Sequence, residues 1–338
     1  MKNHRKESNG MLKYIIKRVV LMFVVFFIIA TMCFVLIKLL PLPNIKAQGR
    51  DANLVLEKRK AMGYDKPIMT QYAIYWKNIF NFKKPDGSFG WSPDFGLGEQ
   101  MYISQPVFDV LTEKLPYTVV VNLYSFIVAV PIGLLLGIYA ALRKNRWQDH
   151  VVSTGVMLVV SVPSYVYAFL VQYFLCYKFG WFPLTVASRE AAGFFSWTMF
   201  KSMMPAIIAL AFGQIAVLCR YTRAELSEVL TGDYLLLART KGLTKSQAIT
   251  RHAMRNAMVP ILPMILGGFI DILSGSLIIE GIFSIPGIGA LYFTSIGLRD
   301  YNFFMALSFF YTLIGLVANL VVDLSYGFID PRIKMGAK

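Results

Sequence analysis

Charged residues are scarce in this chain. They make up 16% of 338 positions, whereas apolar residues make up 56%. A water-soluble domain of this size would need more polar surface. The formal charge of +15 would indicate a nucleic-acid partner only on a soluble domain with a basic face, and here the charges lie between long apolar runs. We therefore expect lipid to be the main solvent and expect no nucleic-acid partner.

Motifs of several common enzyme classes are also missing. No Gly directly precedes a Lys, so the phosphate-binding P-loop pattern cannot occur. The sequence contains neither an HExxH zinc motif nor a GxSxG serine-hydrolase motif. The three cysteines have no close spacing that would indicate a metal site. We expect no catalytic residue, no metal and no cofactor in this chain; an intramembrane enzyme with unfamiliar motif spacing is the alternative.

Six apolar runs predict an all-α polytopic membrane protein with six transmembrane helices. The first, residues 19–37, is charge-free and has 19 residues, which at about 1.5 Å per residue match the ~30 Å hydrocarbon core. A cleaved signal peptide is the alternative, but its apolar part would have about 7–15 residues and end at small residues. The other runs cover residues 119–142, 151–177, 202–219, 258–280 and 301–322.

The distribution of Lys and Arg predicts the orientation. Basic residues in short loops resist translocation, whereas long loops cross regardless of charge. They are abundant before residue 19, at 143–146, at 220–255 and after residue 331, while Arg189, Lys201 and Arg299 are the chief ones in the opposite loops. Both termini are therefore predicted to be cytoplasmic. The predicted segments are a cytoplasmic N-terminal segment (1–18), transmembrane helix 1 (19–40), an extracellular cap (41–117), a core domain (118–330) with a cytoplasmic loop (220–259), and a cytoplasmic tail (331–338).

Helix-breaking residues recur inside the apolar runs. In lipid, each freed backbone group needs a partner, so breaks are tolerated where neighbouring helices or a water-filled cavity supply one. This pattern favours a bundle with an internal pathway over a simple anchor. The breaks are at Pro131 with Gly133 and Gly137, at Pro163, and at Gly267, Gly268 and Gly275.

The loop at residues 220–259 is too polar to span and too rich in helix formers to be a slack linker. We predict a short helix over 233–240, N-capped by Thr231 or Asp233 and ended near Gly242, which suits a left-handed backbone. A second helix is predicted over 245–257. The pair either docks on a partner protein or lies as an amphipathic hairpin on anionic lipid head groups.

The same loop carries a specific series of residues. In order they are Asp233, Tyr234, Ala238, Arg239, Lys241, Gly242, Leu243, His252, Ala253, Arg255, Asn256 and Pro260. The series resembles the conserved cytoplasmic loop of permeases of binding-protein-dependent ABC importers. In that family the loop supplies a coupling helix, seated in a groove of the ATPase subunit, with the glycine at a tight turn. The resemblance implies that its members within 233–243 contact the ATPase and that the loop is supported by His252, Arg255, Asn256 and Pro260. The family's Glu-Ala-Ala triplet is replaced here by Leu237, Ala238 and Arg239.

A second stretch, EGIFSIPGIG at residues 280–289, is similar to the E-x-x-F-x-x-P-G-x-G stretch of peptide permeases. Its Phe283, Pro286, Gly287 and Gly289 are expected to form a rigid turn at the outer end of helix five. The segments KYIIKRVV, GYDKPIMTQY and PVFDVLTEKLPYT resemble the B-type subunit of oligopeptide and dipeptide systems. At residues 97–100 the sequence LGEQ departs from relatives, which tend to carry Gly, a basic residue and Ser. That departure puts in doubt a role of this loop in docking a binding protein.

The resemblance implies a type I ABC importer permease in a bacterial plasma membrane. The expected partners are a second homologous permease, two ATP-binding subunits that hold ATP and Mg, an extracellular substrate-binding protein, a peptide substrate and membrane lipid. Its work would be conformational coupling, not catalysis. A nickel chelate is the alternative substrate. Two further alternatives are an ion-gradient transporter or channel acting alone, and a membrane scaffold or receptor.

Polar residues inside the runs are candidates for the translocation pathway. Asp271 follows Pro260 by 11 residues, or roughly 16 Å along a helix. An ionised Asp facing lipid there would cost about 2.5 to 3.5 kcal/mol, so we expect it to face the bundle or a water-filled path. It would contact the amine or backbone of a peptide, or form a structural hydrogen bond to another helix. The other pathway candidates are Glu280, Tyr165 and Asn122.

Overall fold

The apolar runs fold into long helices in the computed structural model. It describes residues 2–45, 48–84, 86–188 and 193–329, with the side chains of 2–12, 234 and 326–329 left out. Arg189, the side chain of Tyr234 and the predicted tail 331–338 lie outside the described residues. In chain order, the helices are α1 (Lys2–Leu39), α2 (Arg50–Ala61), α3 (Ile68–Ile79), α4 (Val107–Leu142), α5 (Trp147–Ser161), α6 (Ser164–Lys178), α7 (Trp197–Val229), α8 (Asp233–Thr240), α9 (Lys245–Asp271), α10 (Leu277–Ile282), α11 (Ile288–Leu298) and α12 (Tyr301–Ile329).

Among the described residues, five helices are long and apolar enough to cross a membrane: α1, α4, α7, α9 and α12. The predicted run 151–177 forms two helices instead, because α5 and α6 are bent by 102°. Pro163 stands at the break, and the preceding Val162 is extended at φ −91° and ψ 129°. Proline donates no backbone hydrogen bond and disfavours helical backbone in the residue before it. If α5 and α6 are counted together as one broken span, the number of transmembrane spans is six.

The fifth predicted span, residues 258–280, is wrong at both ends. Helix α9 already begins at Lys245, so the second loop helix predicted over 245–257 is the cytoplasmic part of the same helix. Its turns at Ile249–Ala253 are π-helical. At the other end α9 stops at Asp271, and Gly275 follows at φ +67° before α10 begins. The left-handed backbone at Gly275 prevents the helix from continuing to residue 280, so α9 ends nine residues before the predicted end.

The glycines of α4 serve close packing and do not break the helix. Helix α4 continues through Pro131 and lies against α7. A Cβ on Gly133 would lie 2.8 Å from Leu218 Cβ, and one on Gly137 would lie 2.6 Å from Thr222 Cβ. Small residues four positions apart let two membrane helices approach closely. The predicted break in this run is therefore wrong, and α4 with α7 forms the centre of the bundle.

The predicted cap contains α2, α3 and an irregular segment with isolated β-bridges. Its boundary at residues 117–118 falls inside α4, which already begins at Val107. Buried aromatic residues join the cap to the outer parts of α1, α4 and α12 in a cluster that we call the outer core. A second cluster, the inner core, joins the cytoplasmic parts of α4, α7 and α9. The inner core consists of Ala141, Leu226, Val229, Ala253 and Ala257.

Candidate functional site

The cytoplasmic helix α8 spans Asp233–Thr240, as the sequence predicts. Its N-cap is Gly232, which has an extended backbone and offers no side chain to the first turn. The predicted caps, Thr231 and Asp233, are therefore wrong. The hydroxyl of Thr231 instead donates to the backbone oxygen of Glu228, at 2.8 Å, on the preceding helix. The start of α8 is set by the tight link to α7 and not by a side-chain cap.

The C-terminal end of α8 is a glycine-dependent turn. Gly242 has φ +90°, and its N–H donates to Arg239 O at 3.0 Å. The N–H of Leu243 donates to Ala238 O at 3.4 Å. This pair of bonds is the Schellman arrangement, which satisfies carbonyls at a helix end and needs a left-handed residue. A Cβ on Gly242 would meet nothing within 4 Å, so the glycine is required for its backbone angle and not for space.

Helix α8 is amphipathic in three dimensions. Ala238 is buried, and Leu235 packs against the inner core. On the opposite side, Leu236 and Leu237 are 64% and 56% exposed, next to the exposed Arg239. Exposed apolar side chains with a charged rim are typical of a protein-binding surface. One face of α8 thus packs on the inner core, and the face with Leu236 and Leu237 is exposed.

The residues that follow α8 start a well-capped helix. Thr244 and Gln247 form a capping box, with bonds of 3.3 Å and 3.1 Å between each side chain and the other's backbone N–H. The predicted support residues lie on this helix, where His252, Arg255 and Asn256 are exposed and Pro260 is half-buried. The packing on the inner core comes from Ala253 and Ala257. A supporting role for the three exposed side chains stays a prediction.

A second cytoplasmic feature, which the sequence did not indicate, joins α5 to α7. Asp149 is buried, and both of its oxygens accept from the Arg223 guanidinium, at 2.5 and 2.7 Å. Asp149 also accepts from Asn145 N at 2.9 Å and from Ser153 Oγ at 3.2 Å. A two-point Arg–carboxylate pair fixes orientation as well as distance. It ties the loop after α4 to α7, at a position ten residues before α8 begins.

A cavity of about 260 Å³ lies between α4, α7 and α9. Two of the four predicted pathway residues, Asn122 and Asp271, line it. Asn122 lies one turn before Phe126 on α4, and Asp271 lies about one turn after Gly268 on α9. A Cβ on Gly268 would be 3.2 Å from the Phe126 ring. Because the two helices run in opposite directions, Asn122 and Asp271 lie at the same level on facing walls.

The polar atoms of this cavity are mostly hydrogen-bond acceptors. Among the described residues, Asp271 is exposed and its carboxylate has no hydrogen-bond or ion-pair partner, whereas Gln214 Oε1 is buried without a partner. The amide of Asn122 already donates to Thr118 O at 2.8 Å. The rest of the wall is apolar. An apolar cavity with a few acceptors, one of them a carboxylate, suits an organic cation such as an ammonium group.

The other two pathway candidates lie elsewhere. Tyr165 is exposed on α6. Glu280 is fully buried, and its carboxylate accepts from Thr118 Oγ1 at 2.9 Å and from Ala290 N at 3.1 Å. Thr118 Oγ1 in turn accepts from Ile288 N at 2.9 Å. Glu280 and Thr118 together hold the first turn of α11. Contact of any of the four candidates with a substrate stays a prediction.

The glycines of the outer turn leave room for this carboxylate. A Cβ on Gly287 would collide with Glu280 Oε2 and Thr118 Oγ1, and one on Gly289 would lie 2.9 Å from Glu280 Oε2. A Cβ on Gly275, in the link between α9 and α10, would lie 2.5 Å from Glu280 Oε1. The E-x-x-F-x-x-P-G-x-G spacing therefore has a structural explanation. The carboxylate of the glutamate packs against the two glycines of the motif, and a side chain at either position would overlap it.

Two further residues complete the turn between α10 and α11. Phe283 is buried. Pro286 directly precedes Gly287, and the backbone at Ser284 is left-handed, at φ +52°. Proline restricts the residue before it and lacks a donor, which favours a turn over a helix. The turn between α10 and α11 covers residues 283–287, so Phe283, Pro286 and Gly287 lie in it as predicted, whereas Gly289 lies in the first turn of α11.

A further buried carboxylate anchors the cap. Asp300 Oδ2 accepts from three successive backbone N–H groups, those of Glu99 at 2.8 Å, Gln100 at 2.7 Å and Met101 at 3.1 Å. Asp300 itself is fully buried at the start of α12. A carboxylate with several N–H donors is well stabilised inside a protein. The sequence did not single out Asp300, because its partners lie about 200 positions earlier.

Charged and polar side chains surround this anchor. Glu99 pairs with Arg59 through bonds of 2.5 and 2.9 Å. Asn302 Nδ2 donates to Leu97 O at 2.8 Å and Asn302 Oδ1 accepts from Tyr64 OH at 3.1 Å. Burial raises the pKa of Tyr64 well above its usual range, and the bond to Glu99 raises the pKa of Arg59. Segment 97–100 is therefore mostly buried and connects the cap to the start of α12. Little of its surface is accessible to a binding protein.

No group of three or more His, Cys, Asp or Glu residues within the described parts of the chain is arranged to hold a metal ion.

Comparison with known proteins identifies the family. Residues 133–335 match the family described as "Binding-protein-dependent transport system inner membrane component", and residues 11–122 match its N-terminal counterpart. Together the two matches cover most of the chain. They disfavour the ion-gradient transporter and the scaffold that the sequence alone left open.

Curated relatives match over almost their entire length. The dipeptide transport system permease protein DppB of Lactococcus lactis subsp. cremoris is 33% identical over 96% of this chain and 100% of that protein. The protein of the same name from Bacillus subtilis is 34% identical over 97% of this chain and 100% of that protein. The glutathione transport system permease protein GsiC of Escherichia coli is 31% identical over 96% of this chain and 99% of that protein.

Solved structures support the same fold at lower identity. An amino acid ABC transporter crystallised with histidines has a TM-score of 0.50 and 19% identity, covering 65% of this chain and 94% of that chain. The methionine ABC transporter MetNI in an inward-facing conformation also has a TM-score of 0.50, with 18% identity, covering 68% of this chain and 100% of that chain. The fold is that of a type I ABC importer permease. The chain therefore belongs to the binding-protein-dependent transport system inner membrane components, and it is a multi-pass permease subunit of an ABC importer in the bacterial plasma membrane.

Proposed function

We propose that this permease takes up peptides. The observation that carries the substrate class is the likeness, over almost the whole chain, to permeases named for dipeptide and glutathione transport. Glutathione is itself a tripeptide, so these relatives share one substrate chemistry. Nickel chelate uptake, the alternative within the wider family, has no comparable support among them.

Four partners complete the proposed importer: a second homologous permease, two ATP-binding subunits and an extracellular substrate-binding protein. The ATP-binding subunits hold ATP and Mg²⁺ and dock on α8. The exposed Leu236 and Leu237 support this docking, because water-exposed leucines on a short cytoplasmic helix are expected to be covered in the assembly. Those subunits hydrolyse ATP, and this permease forms part of the transport pathway.

Helix α8 is well placed to transmit movement. It follows α7 after only three residues and precedes α9 by only four. Both of those helices line the cavity that contains Asp271. Closure of the ATP-binding subunits would displace α8 and with it the cytoplasmic ends of α7 and α9. A two-state bundle moved in this way opens the cavity alternately to each side of the membrane.

Within the cavity, we assign the Asp271 carboxylate to the α-ammonium group of a peptide. A charge-assisted hydrogen bond of this kind contributes about 1.5–3 kcal/mol, which corresponds to roughly 10- to 150-fold in affinity. Asp271→Asn should therefore raise the apparent KM for peptides with a free N-terminus by at least ten-fold. N-acetylated peptides should be unaffected, and so should the amount of protein in the membrane. Asp51→Asn, on the exposed surface of the cap, is the matched control. Equal loss for free and acetylated peptides would contradict the amine assignment.

Uptake measurements test the substrate class. Cells with and without the chain are given labelled peptides of two to ten residues and, separately, nickel. Loss of peptide uptake over a particular length range supports the proposal and defines the subclass. Loss of nickel uptake alone, or no change in either, would overturn the peptide assignment while leaving the family unaffected.

A further inference from the structure

A groove of about 420 Å³ lies at the outer end of the molecule, where the end of α1 meets α11 and α12. Its lining includes Ile37 and Leu40 at the end of α1, Ile296 of α11 and Phe304 of α12. Leu40 and Ile296 are exposed. The cavity that contains Asp271 is lined from α4, α7 and the end of α9. The groove is therefore separate from the proposed substrate site.

The groove crosses the outer boundary of the hydrocarbon layer. The charge-free run of α1 ends at Ile37 and the run of α12 begins at Tyr301, so these two residues mark the outer limit of the hydrocarbon. Phe304 lies one turn inside that limit, whereas Arg299, which also lines the groove, lies outside it. The Tyr301 hydroxyl donates to Pro41 O at 3.2 Å and joins α12 to the end of α1 at this level, where tyrosine is typical. The inner part of the groove therefore faces acyl chains, and its outer part faces head groups.

Arg299 occupies a backbone position that usually belongs to glycine. It directly follows α11, at φ +58° and ψ +38°. Its N–H donates to Ile296 O at 3.2 Å, and the N–H of Asp300 donates to Ser295 O at 2.9 Å. This pair of bonds is a Schellman arrangement, in which a left-handed residue with a side chain is disfavoured. An arginine at such a strained position indicates that its side chain has a role.

The Arg299 side chain is exposed at the rim of the groove, and the described residues offer its guanidinium no hydrogen-bond or ion-pair partner. The adjacent Asp300 is fully buried and accepts from three backbone N–H groups of the cap. Glu99, which these bonds hold near Asp300, pairs with Arg59. A guanidinium binds a phosphate through two parallel hydrogen bonds. At the depth of the head groups, a lipid phosphate is the anion available to Arg299.

The exposed side of α1 leads into the groove. Met32, Leu36 and Leu39 are 58%, 60% and 72% exposed. Their spacing of three to four residues places them on one side of the helix, and Leu40 of the groove follows Leu39 directly. An exposed apolar stripe on a membrane-spanning helix contacts acyl chains. The groove is thus continuous with a lipid-facing surface, which favours a lipid over a protein as its occupant.

We propose that the groove binds an anionic phospholipid of the outer leaflet. The phosphate accepts hydrogen bonds from Arg299, and one acyl chain lies between Leu40 and Ile296 and extends past Phe304. A positive charge with no free acidic neighbour favours an anionic head group, because it offers nothing to the ammonium group of a zwitterionic lipid. The bound lipid holds the end of α1 against α11 and α12. The site is independent of the substrate and of the ATP-binding subunits.

Quenching by brominated lipids tests the occupant of the groove. The full chain, purified with the subunits that accompany it, is placed in phosphatidylcholine vesicles that contain brominated phosphatidylglycerol or brominated phosphatidylcholine. A tryptophan at Ile296→Trp reports on the groove, and its fluorescence is the difference between this variant and the native chain. We expect phosphatidylglycerol to associate at least about three-fold more tightly at this position. Ile28→Trp, on the exposed side of α1 in the middle of its run, is the control and should show equal association.

Two results at position 296 would overturn the proposal. Equal association of both lipids would mean that the groove contains only bulk lipid. An absence of quenching by either lipid would mean that a protein covers the groove.

Charge variants added to the reporter chain test the role of Arg299. Arg299→Gln should reduce the preference for phosphatidylglycerol to about one. Lys201→Gln removes another exposed basic residue from the side predicted to be outer and should leave the preference unchanged. An unchanged preference in Arg299→Gln would contradict the proposed site. Loss of the preference in both variants would show that the general charge of the outer side attracts the lipid, and the proposal would be wrong.

Arg299→Gly separates lipid binding from folding. Glycine adopts left-handed backbone without strain, so the Tm of this variant in lipid-free detergent should equal or exceed that of the native chain. Added phosphatidylglycerol should raise the Tm of the native chain but not that of the variant. A lower Tm of Arg299→Gly in lipid-free detergent would mean that the arginine side chain supports the fold itself, and an equal rise of both Tm values with lipid would exclude Arg299 as the phosphate ligand. Either result would overturn the proposal.

Discussion

Buried carboxylates fix the outer end of the molecule, whereas helix α8 at the cytoplasmic end is held by apolar packing on one face and by a glycine turn. At the outer end, Asp300 and Glu280 each accept several hydrogen bonds from distant segments. At the cytoplasmic end, α8 is held by Leu235, Ala238 and the turn at Gly242, with its other face exposed. This difference fits a permease whose outer part is a rigid support and whose inner helix receives force from a partner.

The glycines of the two ends show the same contrast. Gly287 has an ordinary backbone, but a Cβ there would collide with Glu280 and Thr118. Gly242 has open space around it, but its φ of +90° disfavours any other residue. One glycine is required for packing and the other for conformation. Substitutions at the two sites should therefore differ in whether they affect folding or transport.

The largest effect on stability is expected at Asp300. Asp300→Ala leaves the N–H groups of Glu99, Gln100 and Met101 buried without an acceptor, and should cost about 3–5 kcal/mol of unfolding free energy. The melting temperature Tm of the purified protein in detergent measures the loss. Asp300→Asn retains one acceptor oxygen and should lose about half as much. An unchanged Tm for Asp300→Ala would contradict the rigid-support interpretation of the outer end.

A smaller loss is expected at the outer turn. Gly287→Ala pushes a methyl group against Glu280 and Thr118 and should lower stability by about 1–3 kcal/mol. Gly281, six positions earlier on α10, provides a matched control because a Cβ there meets nothing within 4 Å. Gly281→Ala should be neutral or stabilise by up to about 1 kcal/mol. If both variants had the same Tm, crowding around the Glu280 carboxylate would not explain the glycine motif.

The smallest effect on stability and the largest on transport are expected at Gly242. Gly242→Asp should uncouple transport while the protein remains in the membrane, because the strained turn and the new charge both alter the face of α8 that we propose as the docking surface. Gly242→Asn has the same shape without the charge and adopts left-handed backbone readily, so it should retain more uptake. Peptide uptake normalised to membrane protein compares the three chains. Normal uptake by Gly242→Asp would count strongly against the coupling role.

Features encoded within a few residues could be predicted from the sequence. The bounds of α8 follow from a helix-forming segment before Gly242, and the long apolar runs give most of the spans. The bend after Val162 could be predicted only in part. Pro163 indicates that the helix breaks there, but it does not indicate the angle of 102°. The start of α9 at Lys245 was not predicted. The polar residues after Lys245 indicate a separate loop helix, and no local feature shows that this helix continues into the membrane span.

Features that depend on distant partners could not be predicted. Asp300 and Asp149 lie at the ends of apolar runs, where a charged residue is common, so neither had a distinguishing signal. Their roles depend on contacts 199 to 201 positions away for Asp300 and 74 away for Asp149. Glu280 was predicted to line the pathway, but its carboxylate is buried and accepts hydrogen bonds from Thr118 Oγ1 and Ala290 N, a distant partner and a neighbouring helix that the sequence did not indicate.

The association of this chain with ATP-binding subunits tests the central claim most directly. The chain is purified from its native membrane, and the ATP-binding subunits that accompany it are quantified. The native chain should carry them in stoichiometric amounts, and Leu236→Asp with Leu237→Asp should lose them, whereas Leu56→Asp on the exposed face of α2 should not. A native chain that purifies without ATP-binding subunits, or a double variant that keeps them, would contradict the assignment of α8 as the docking helix.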